Sequence, residues 1–314
     1  MEYKVFIQTN HKQYIGALVA AHALARYSSH TGKFTVEIIN VRDYSFFTDR
    51  EGQAYLRDGA HRQWLNEDLQ SFTLTRFMPP ALMNFHGRAL VIDPDVFAVS
   101  DIWELLSRDM QDRAIMVRPR SGRKKKRGCM ATSVMLLDCQ QLQHWRVEEQ
   151  FASLFADELD YMDWICLKNE PAGSIGLFEN EWNDFDQLTP ATRMLHTTKR
   201  KTQPWKTGLP ADFRPPETFR VFPPSGWLMF ARRKLFGEYA FMGKYRQNPD
   251  MAQQDLFFGL LQECLDSGTI TLDMLSAAMQ NDHVRHDALD VLKHTPPLSE
   301  QSVGHRLTTL QRPA

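Results

Sequence analysis

In a chain of 314 residues, the triplet Asp93-Pro94-Asp95 stands directly after the apolar run Ala89 to Ile92. Two carboxylates one residue apart at the end of a buried strand can turn into the same cleft. Carboxylate oxygens are hard ligands that suit magnesium or manganese, and such an ion can bridge to the paired phosphates of a nucleotide. An ion held there would neutralise a departing diphosphate. The same three residues also suit a plain turn, because Asp and Pro are favoured where a strand ends.

The elements around the triplet decide where it sits. Residues Tyr3 to Thr9 alternate β-formers, His11 to about Tyr27 carries apolar residues at helical spacing, and Phe34 to Val41 reads as a second strand. Strand, helix, strand calls for a right-handed parallel crossover and hence a doubly wound α/β sheet, whose ligands collect at the carboxyl ends of the strands. Arg76 to Phe85 reads as a short helix opened by Pro79-Pro80, and Ala89 to Ile92 as the buried strand that ends on Asp93. Further expectations are a capped helix at Ile102 to Ser107, strands at Ala114 to Val117, Ser133 to Leu137 and Met194 to His196, and a helix over Gln140 to Ala156. Prolines recur too often from Gln203 to Trp227 for regular structure, and Trp227 to Leu292 reads as mostly helical. The organisation expected is therefore a nucleotide-binding domain over 1–206, a proline-rich linker over 207–226, a helical region over 227–296 and a flexible tail over 297–314. A phosphatase of the haloacid-dehalogenase type also ends a strand on a nucleophilic Asp two residues before a second Asp. That motif opens its domain, whereas here a complete strand, helix, strand unit comes first.

Six segments in order resemble family 8 of the retaining glycosyltransferases, the glycogenin-like group. They are TNHKQYIGALV (Thr9 to Val19), TRFMPPAL with Arg76, GRALVIDPDVFAVSDIWEL, TSVMLLD, EWN (Glu181 to Asn183) and HTTKRKTQPW (His196 to Trp205). The resemblance spans about Thr9 to Trp205. It implies a GT-A type doubly wound mixed sheet flanked by helices, with a mostly helical C-terminal extension. It also implies transfer of a sugar from a nucleoside diphosphate, UDP above all, to an acceptor hydroxyl with retention at the anomeric carbon. Carried over residue by residue, Asp93, Asp95 and His196 would hold Mn2+ or Mg2+, and Thr9, Asn10, Tyr14, Arg76 and Pro94 would line the UDP-sugar site. Tyr14 would pack on the uracil ring, Arg76 would meet phosphate or sugar, and Asp163 in YMDWICL would face the donor sugar.

This sequence departs from that pattern at several points. His11 stands where an acid is usual, Ala131-Thr132-Ser133 replaces Asn-Ser-Gly, Lys199 replaces a Gly, and Gln203 precedes Pro204-Trp205 with one extra residue. The lysine of the closing motif is thus missing, and Lys199, Lys201 or Lys206 would have to supply its charge. A non-catalytic sugar-nucleotide or glycan-binding subunit of the same fold is the alternative these substitutions raise. As isolated residues, His196 suits a satisfied or exposed histidine, Arg76 a surface charge at a helix terminus, and Asp163 a solvated helix acid.

Composition sets the outer bounds. The chain is 43% hydrophobic and 24% charged, with 37 basic residues against 38 acidic ones and a formal charge of -1, so no global field draws it to nucleic acid. Cys129, Cys139, Cys166 and Cys264 form no C-x-x-C pair and read as small core side chains, which argues against a disulfide framework and against structural zinc. Met1 to Asn10 reads as a strand rather than a secretory signal, and the apolar stretch Ile15 to Ala25 is too short to span a bilayer. These features point to a reducing cytoplasm. The run Arg123 to Arg127 reads as a solvated loop, with docking on an anionic membrane face or on a phosphorylated acceptor as the functional alternatives. The acceptor itself, whether glycan, lipid-linked or protein, and the oligomeric state have no signature in the sequence.

Overall fold

The computed structural model describes residues 1–120, 128–213, 235 and 242–298. The basic run Arg123 to Arg127, most of the proline-rich stretch, the expected helix start at Trp227 and the tail lie outside the described residues.

Alternation along the first strand, β1 (Tyr3–Thr9), sends Val5 and Ile7 to one face and Phe6 to the other. Helix α1 (Tyr14–Tyr27) leads to β2 (Thr35–Asn40), which pairs with β1 in parallel. The helix starts three residues later than its apolar spacing suggests. The Asn10 side chain accepts the amides of Lys12 and Gln13 (3.1 and 3.2 Å) and so holds a turn ahead of it. Next come α2 (Ser45–Thr48) and the hairpin β3 (Ala54–Arg57) with β4 (Ala60–Gln63). The helix expected over Arg76 to Phe85 is instead a tight 3-10 run, Ser71–Phe77, followed by one turn, α3 (Pro79–Leu82). Proline supplies a fitting first turn but no amide to continue it, and Asn84 and Phe85 at φ of 51° and 57° end the helix.

Strand β5 (Arg88–Ile92) enters the sheet beside β1, and β6 (Val96–Ala98) follows Asp95 at once. After α4 (Trp103–Leu106) come β7 (Ile115–Pro119) and β8 (Met130–Asp138). Helices α5 (Val147–Phe155) and α6 (Tyr161–Ile165) and strands β9 (Ile175–Leu177), β10 (Asp184–Phe185) and β11 (Met194–His196) complete the sheet half. The six-stranded sheet has the order β2-β1-β5-β8-β7-β9, and β8 alone runs against its neighbours. It is a mixed α/β sheet with a packed layer on each face. Val5, Ile7, Leu90, Ile92, Val134 and Leu136 meet α1 and the C-terminal helices, while Phe6, Val91, Ile115, Met135 and Leu137 meet Phe77, Trp145, Phe151 and Trp164.

The C-terminal helices are α7 (Met251–Asp266), α8 (Leu272–Gln280) and α9 (Ala288–His294). They share the α1 core, and Glu263 of α7 accepts from His22 Nε2 and Arg26 Nε of α1 at 2.8 and 2.6 Å. None of the described helices is long and apolar enough to cross a membrane.

Asp101 ties the end of α1 to the start of α4. Its carboxylate accepts from Ser28 Oγ, Ser29 N and Oγ, His30 Nδ1 and Trp103 N at 2.7–3.0 Å. Burial alone would raise this carboxyl, but the Trp103 amide, His30 and the two serines outweigh it and hold the group well below the ordinary carboxylate range. Asp101→Ala is expected to cost about 1–3 kcal/mol, since it strands several donors at a site still open to water. The wild-type contribution is present above about pH 4 and disappears as pH falls toward the depressed folded value. Urea unfolding of both proteins at pH 7 and pH 3 checks this, the difference between them shrinking at the lower pH.

One covalent feature departs from the sequence expectation. Cys129 and Cys166 form a disulfide across 37 residues, joining the start of β8 to the end of α6, while Cys139 and Cys264 are buried free thiols. Neither cysteine pairs with a sequence neighbour, so local spacing carried no sign of the bond.

Candidate metal and donor site

Because β8 is antiparallel, its first residues lie at the carboxyl edge of the parallel strands. Val134 pairs with Ile92, and the Asp93 amide donates to Ser133 O at 3.0 Å. The chain then turns through Pro94, whose carbonyl packs against α1 so closely that a Cβ on Gly16 would stand 2.7 Å from it. Only a residue without a side chain leaves room for this turn. Strand β6 leaves it antiparallel to β11, Val96 opposite His196, and the ladder continues as Thr197 N donates to Asp95 O at 3.1 Å. This pairing is what carries His196 to the triplet. One ligand atom each from Asp93, Asp95 and His196 lie within 4.8 Å of one another.

Asp93 accepts from Arg76 Nη2 at 3.0 and 3.3 Å and from Gln8 Nε2, and Arg76 Nη1 also donates to Thr132 Oγ1 at 2.5 Å. Asp95 Oδ2 accepts from Gln203 Nε2 at 2.9 Å, and its Oδ1 stands 3.4 Å from His196 Nε2. Burial raises the Asp93 carboxyl above its usual range more than Arg76 lowers it, and the neighbouring Asp95 carboxylate adds to the rise. A divalent cation would relieve that opposition. Gln8 and Gln203 give their amide nitrogens to the two acids and keep buried Oε1 atoms with no hydrogen-bond partner among the described residues. Two hard carboxylates, an imidazole nitrogen and orphaned amide oxygens beside them fit a manganese or magnesium ion.

The second partners of His196 orient it. Asn183 Nδ2 donates to Ala131 O and Ser133 Oγ (3.2 and 3.1 Å), which turns its Oδ1 toward His196 Nδ1 at 2.9 Å. Nδ1 therefore carries the proton, and the lone pair on Nε2 points to Asp95. Asn183→Ala is expected to lower manganese affinity about 10–100-fold by releasing the ring. Titration calorimetry with the metal alone reads this directly, and an unchanged affinity would deny Asn183 the orienting role.

Thr9 is buried, its hydroxyl donating to Asn10 O at 3.1 Å, and the Asn10 amide donates to Asp68 O, Leu69 O and Ser71 Oγ at 3.1–3.3 Å. Both residues shape the turn after β1. Tyr14 is 38% exposed. With His11, Ile38, Asn40 and Asp43 it lines an open cleft of about 440 Å³ at the carboxyl ends of β1 and β2. The acid group lies one strand away, at the end of β5. Lys206 does not reach the acids: it is fully buried, donates to Asp282 O at 3.2 Å and pairs with Asp212 at 3.7 Å. Lys199 and Lys201 are exposed. Asp163 pairs with Lys168 on the exposed side of α6 and is not part of the acid group.

Residues without an assigned role in the sequence reading include Gln8, Asn40, Asp43, Ser133 and Asn183. An inward-facing glutamine one residue from the end of β1 is a weak sign of a polar site. Asn183 and Ser133 lay inside recognised segments, but only the fold shows what they touch.

No known family model and no curated protein matches this chain. Among solved structures it is similar to the glycosyltransferase GlyE of Streptococcus pneumoniae TIGR4, at 13% identity and a TM-score of 0.45. That alignment covers 85% of this chain, which spans only 64% of the GlyE chain. It is also similar to the galactosyltransferase LgtC solved with donor and acceptor sugar analogues (13% identity, 65% of this chain and 89% of that one, TM-score 0.47). Mouse xyloside xylosyltransferase 1 is a third (12% identity, 64% of this chain and 99% of that one, TM-score 0.42).

Proposed function

We propose that this chain is a metal-dependent glycosyltransferase that moves a sugar from a nucleoside diphosphate, UDP in the first place, to an acceptor hydroxyl with retention. The observation that carries the reading is the convergence of Asp93, Asp95 and His196 at the sheet's carboxyl edge, one strand from an open cleft. Tyr14 offers an aromatic face to a base in that cleft, while Asn40 and Asp43 offer polar groups to base or ribose. Asp93, Asp95 and His196 would hold manganese or magnesium, which would supply charge neutralisation for the leaving diphosphate. Gln8, Arg76 and Gln203 hold the two carboxylates in fixed directions, and Asn183 holds the imidazole. This is positioning and electrostatic preorganisation rather than covalent catalysis.

A phosphatase reading needs the Asp93 carboxylate free to attack phosphorus. Both of its oxygens are instead engaged by Arg76, and one also by Gln8. The binding-only subunit has more behind it, because Gln203 contacts Asp95 while Lys206 pairs elsewhere. Turnover separates the two: the enzyme releases UDP slowly from its donor with manganese present, and the binding subunit releases none.

A thermal-shift panel of UDP-sugars, GDP-sugars and free nucleotides, with and without manganese, tests the site. A UDP-sugar at about 100 times its dissociation constant should add about 2.7 kcal/mol of stability, and only when the metal is present. No metal-dependent shift with any of them overturns the proposal.

A further inference from the structure

The part of β8 that touches the partners of the metal ligands has the least support from the sheet. Val117 of β7 pairs with Met135 and Arg118 with Ala131, so Thr132, Ser133 and Val134 bulge out of the β7 ladder. On the other side, pairing with β5 starts at Val134, opposite Ile92. Thr132 and Ser133 therefore lie outside both registers, and one amide bond, from Asp93 to Ser133 O, continues toward β5. Irregularities of this kind re-aim side chains beside functional sites.

Thr132 Oγ1 donates its proton to Ile165 O at 2.9 Å, which leaves its lone pairs to accept from Arg76 Nη1 at 2.5 Å, and Arg76 Nη2 holds Asp93 at 3.0 Å. Asn183 Nδ2 donates to Ala131 O and Ser133 Oγ, and Ser133 Oγ stands 3.2 Å from His196 Nδ1. Three consecutive residues thus support the partners of two metal ligands. The covalent hold on them is the Cys129–Cys166 bond, which ties the residue before β8 to the residue after Ile165. Met130 N adds a longer bond to Cys166 O at 3.4 Å. Both cysteines are buried, but Cys129 directly follows the exposed Gly128, so the bond lies one residue from the surface.

We propose that the Cys129–Cys166 bond is a redox-sensitive switch of metal affinity, with Thr132 relaying the state of the bond to Arg76 and Asp93. The inference rests on the three-ligand metal site above and adds regulation to it. A dithiol reductant opens the bond in two exchanges. One of its thiolates attacks a sulfur of the bond, forming a mixed disulfide and releasing the other cysteine as a thiolate that is then protonated. The second thiol of the reductant displaces the remaining cysteine. The chain gains two electrons and two protons, the reductant leaves as its own disulfide, and exchange with that disulfide runs the steps backward. With the bond open, the end of α6 can part from β8. Thr132 then loses its fixed acceptor at Ile165 O, its hydroxyl turns, and Arg76 is no longer aimed at Asp93. Linkage makes the effect reciprocal, so an ion that prefers the oxidised chain also resists its reduction.

Calorimetry with manganese alone, on the full chain oxidised and after anaerobic reduction, tests this. Reduction is expected to weaken manganese binding by about 10–100-fold, the loss typical when an outer partner of a metal ligand is disturbed. Saturating manganese should lower the midpoint potential of the bond, read by thiol counting in dithiothreitol buffers, by about 30 mV for each tenfold of that loss. Thr132→Val keeps the bond and the volume but removes the relay. Oxidised, this variant should bind manganese nearly as weakly as reduced wild type, and reduction should change it little further. Near-ultraviolet circular dichroism establishes whether the reduced chain keeps its tertiary structure. Equal manganese affinity in the two states, with no shift in potential, overturns this inference alone. So does a reduced chain that has lost its tertiary signal, because the bond is then a brace of the whole fold. Thr132→Val with the full wild-type dependence on the bond overturns the relay. An oxidised chain that binds no manganese sinks the three-ligand site and the switch with it.

Discussion

Asp95→Asn is expected to weaken manganese binding in the presence of UDP by more than about 100-fold and to reduce donor turnover at least as much. Losing only an outer partner of a metal ligand already costs about 10–100-fold, and here the ligand itself loses its charge. The asparagine fills the same volume, can still bond Gln203, and leaves the backbone ladder from Asp95 O to Thr197 N in place. Without metal the variant should therefore be at least as stable as wild type, because one of two neighbouring carboxylates has been neutralised and the burden on Asp93 falls. Calorimetry for the metal and thermal unfolding without it separate lost ligation from lost folding. A variant that binds manganese as wild type does would mean that Asp93 and His196 suffice, and the three-ligand site would be wrong.

Breaking the Cys129–Cys166 bond should be the largest single effect on stability away from the site. In the chain-entropy account, a link across 37 residues contributes about 3–4 kcal/mol by restricting the unfolded chain. Cys129→Ser with Cys166→Ser, or reduction of the native protein, should lower the unfolding midpoint accordingly. The bond joins the start of β8, which carries Thr132 and Ser133, to the end of α6, where Ile165 O accepts from Thr132 Oγ1 at 2.9 Å. Arg76 donates to that same hydroxyl, so some loosening of the metal site should accompany the loss. Thiol counting gives an independent check. In denaturant without reductant two thiols should react, those of Cys139 and Cys264. In the native state neither should react readily, because burial pushes both up to about 12. Four thiols in denaturant would show that the link does not form.

Much of this architecture is legible residue by residue. Alternation in β1 and the β-formers from Phe34 to Val41 place a parallel strand on each side of a right-handed crossover, and the apolar run of β5 ends on Asp93, where the carboxyl edge of such a sheet collects ligands. The strand Met194–His196 was legible to the residue. Helix boundaries were less so, because they turn on individual hydrogen bonds. Asn10 delays α1, and α5 begins only at Val147 because Asp138 caps a 3-10 turn over Cys139–Gln141 instead.

The Asp93-Pro94-Asp95 triplet is local in character: residue type, spacing and the preceding apolar strand are all contained in a few positions, so the sequence by itself determined where acids would gather. Everything that makes them a site comes from across the chain. The β6 to β11 pairing brings His196, Gly16 leaves room for the Pro94 carbonyl, and Asn183 sets the imidazole tautomer. Gln203, a departure in sequence, becomes the partner of Asp95, whereas Lys206, a sensible replacement cation, is drawn into the core by Asp212. Charge and hydrogen-bonding capacity belong to a residue type, but the partner that satisfies them is chosen by the tertiary fold.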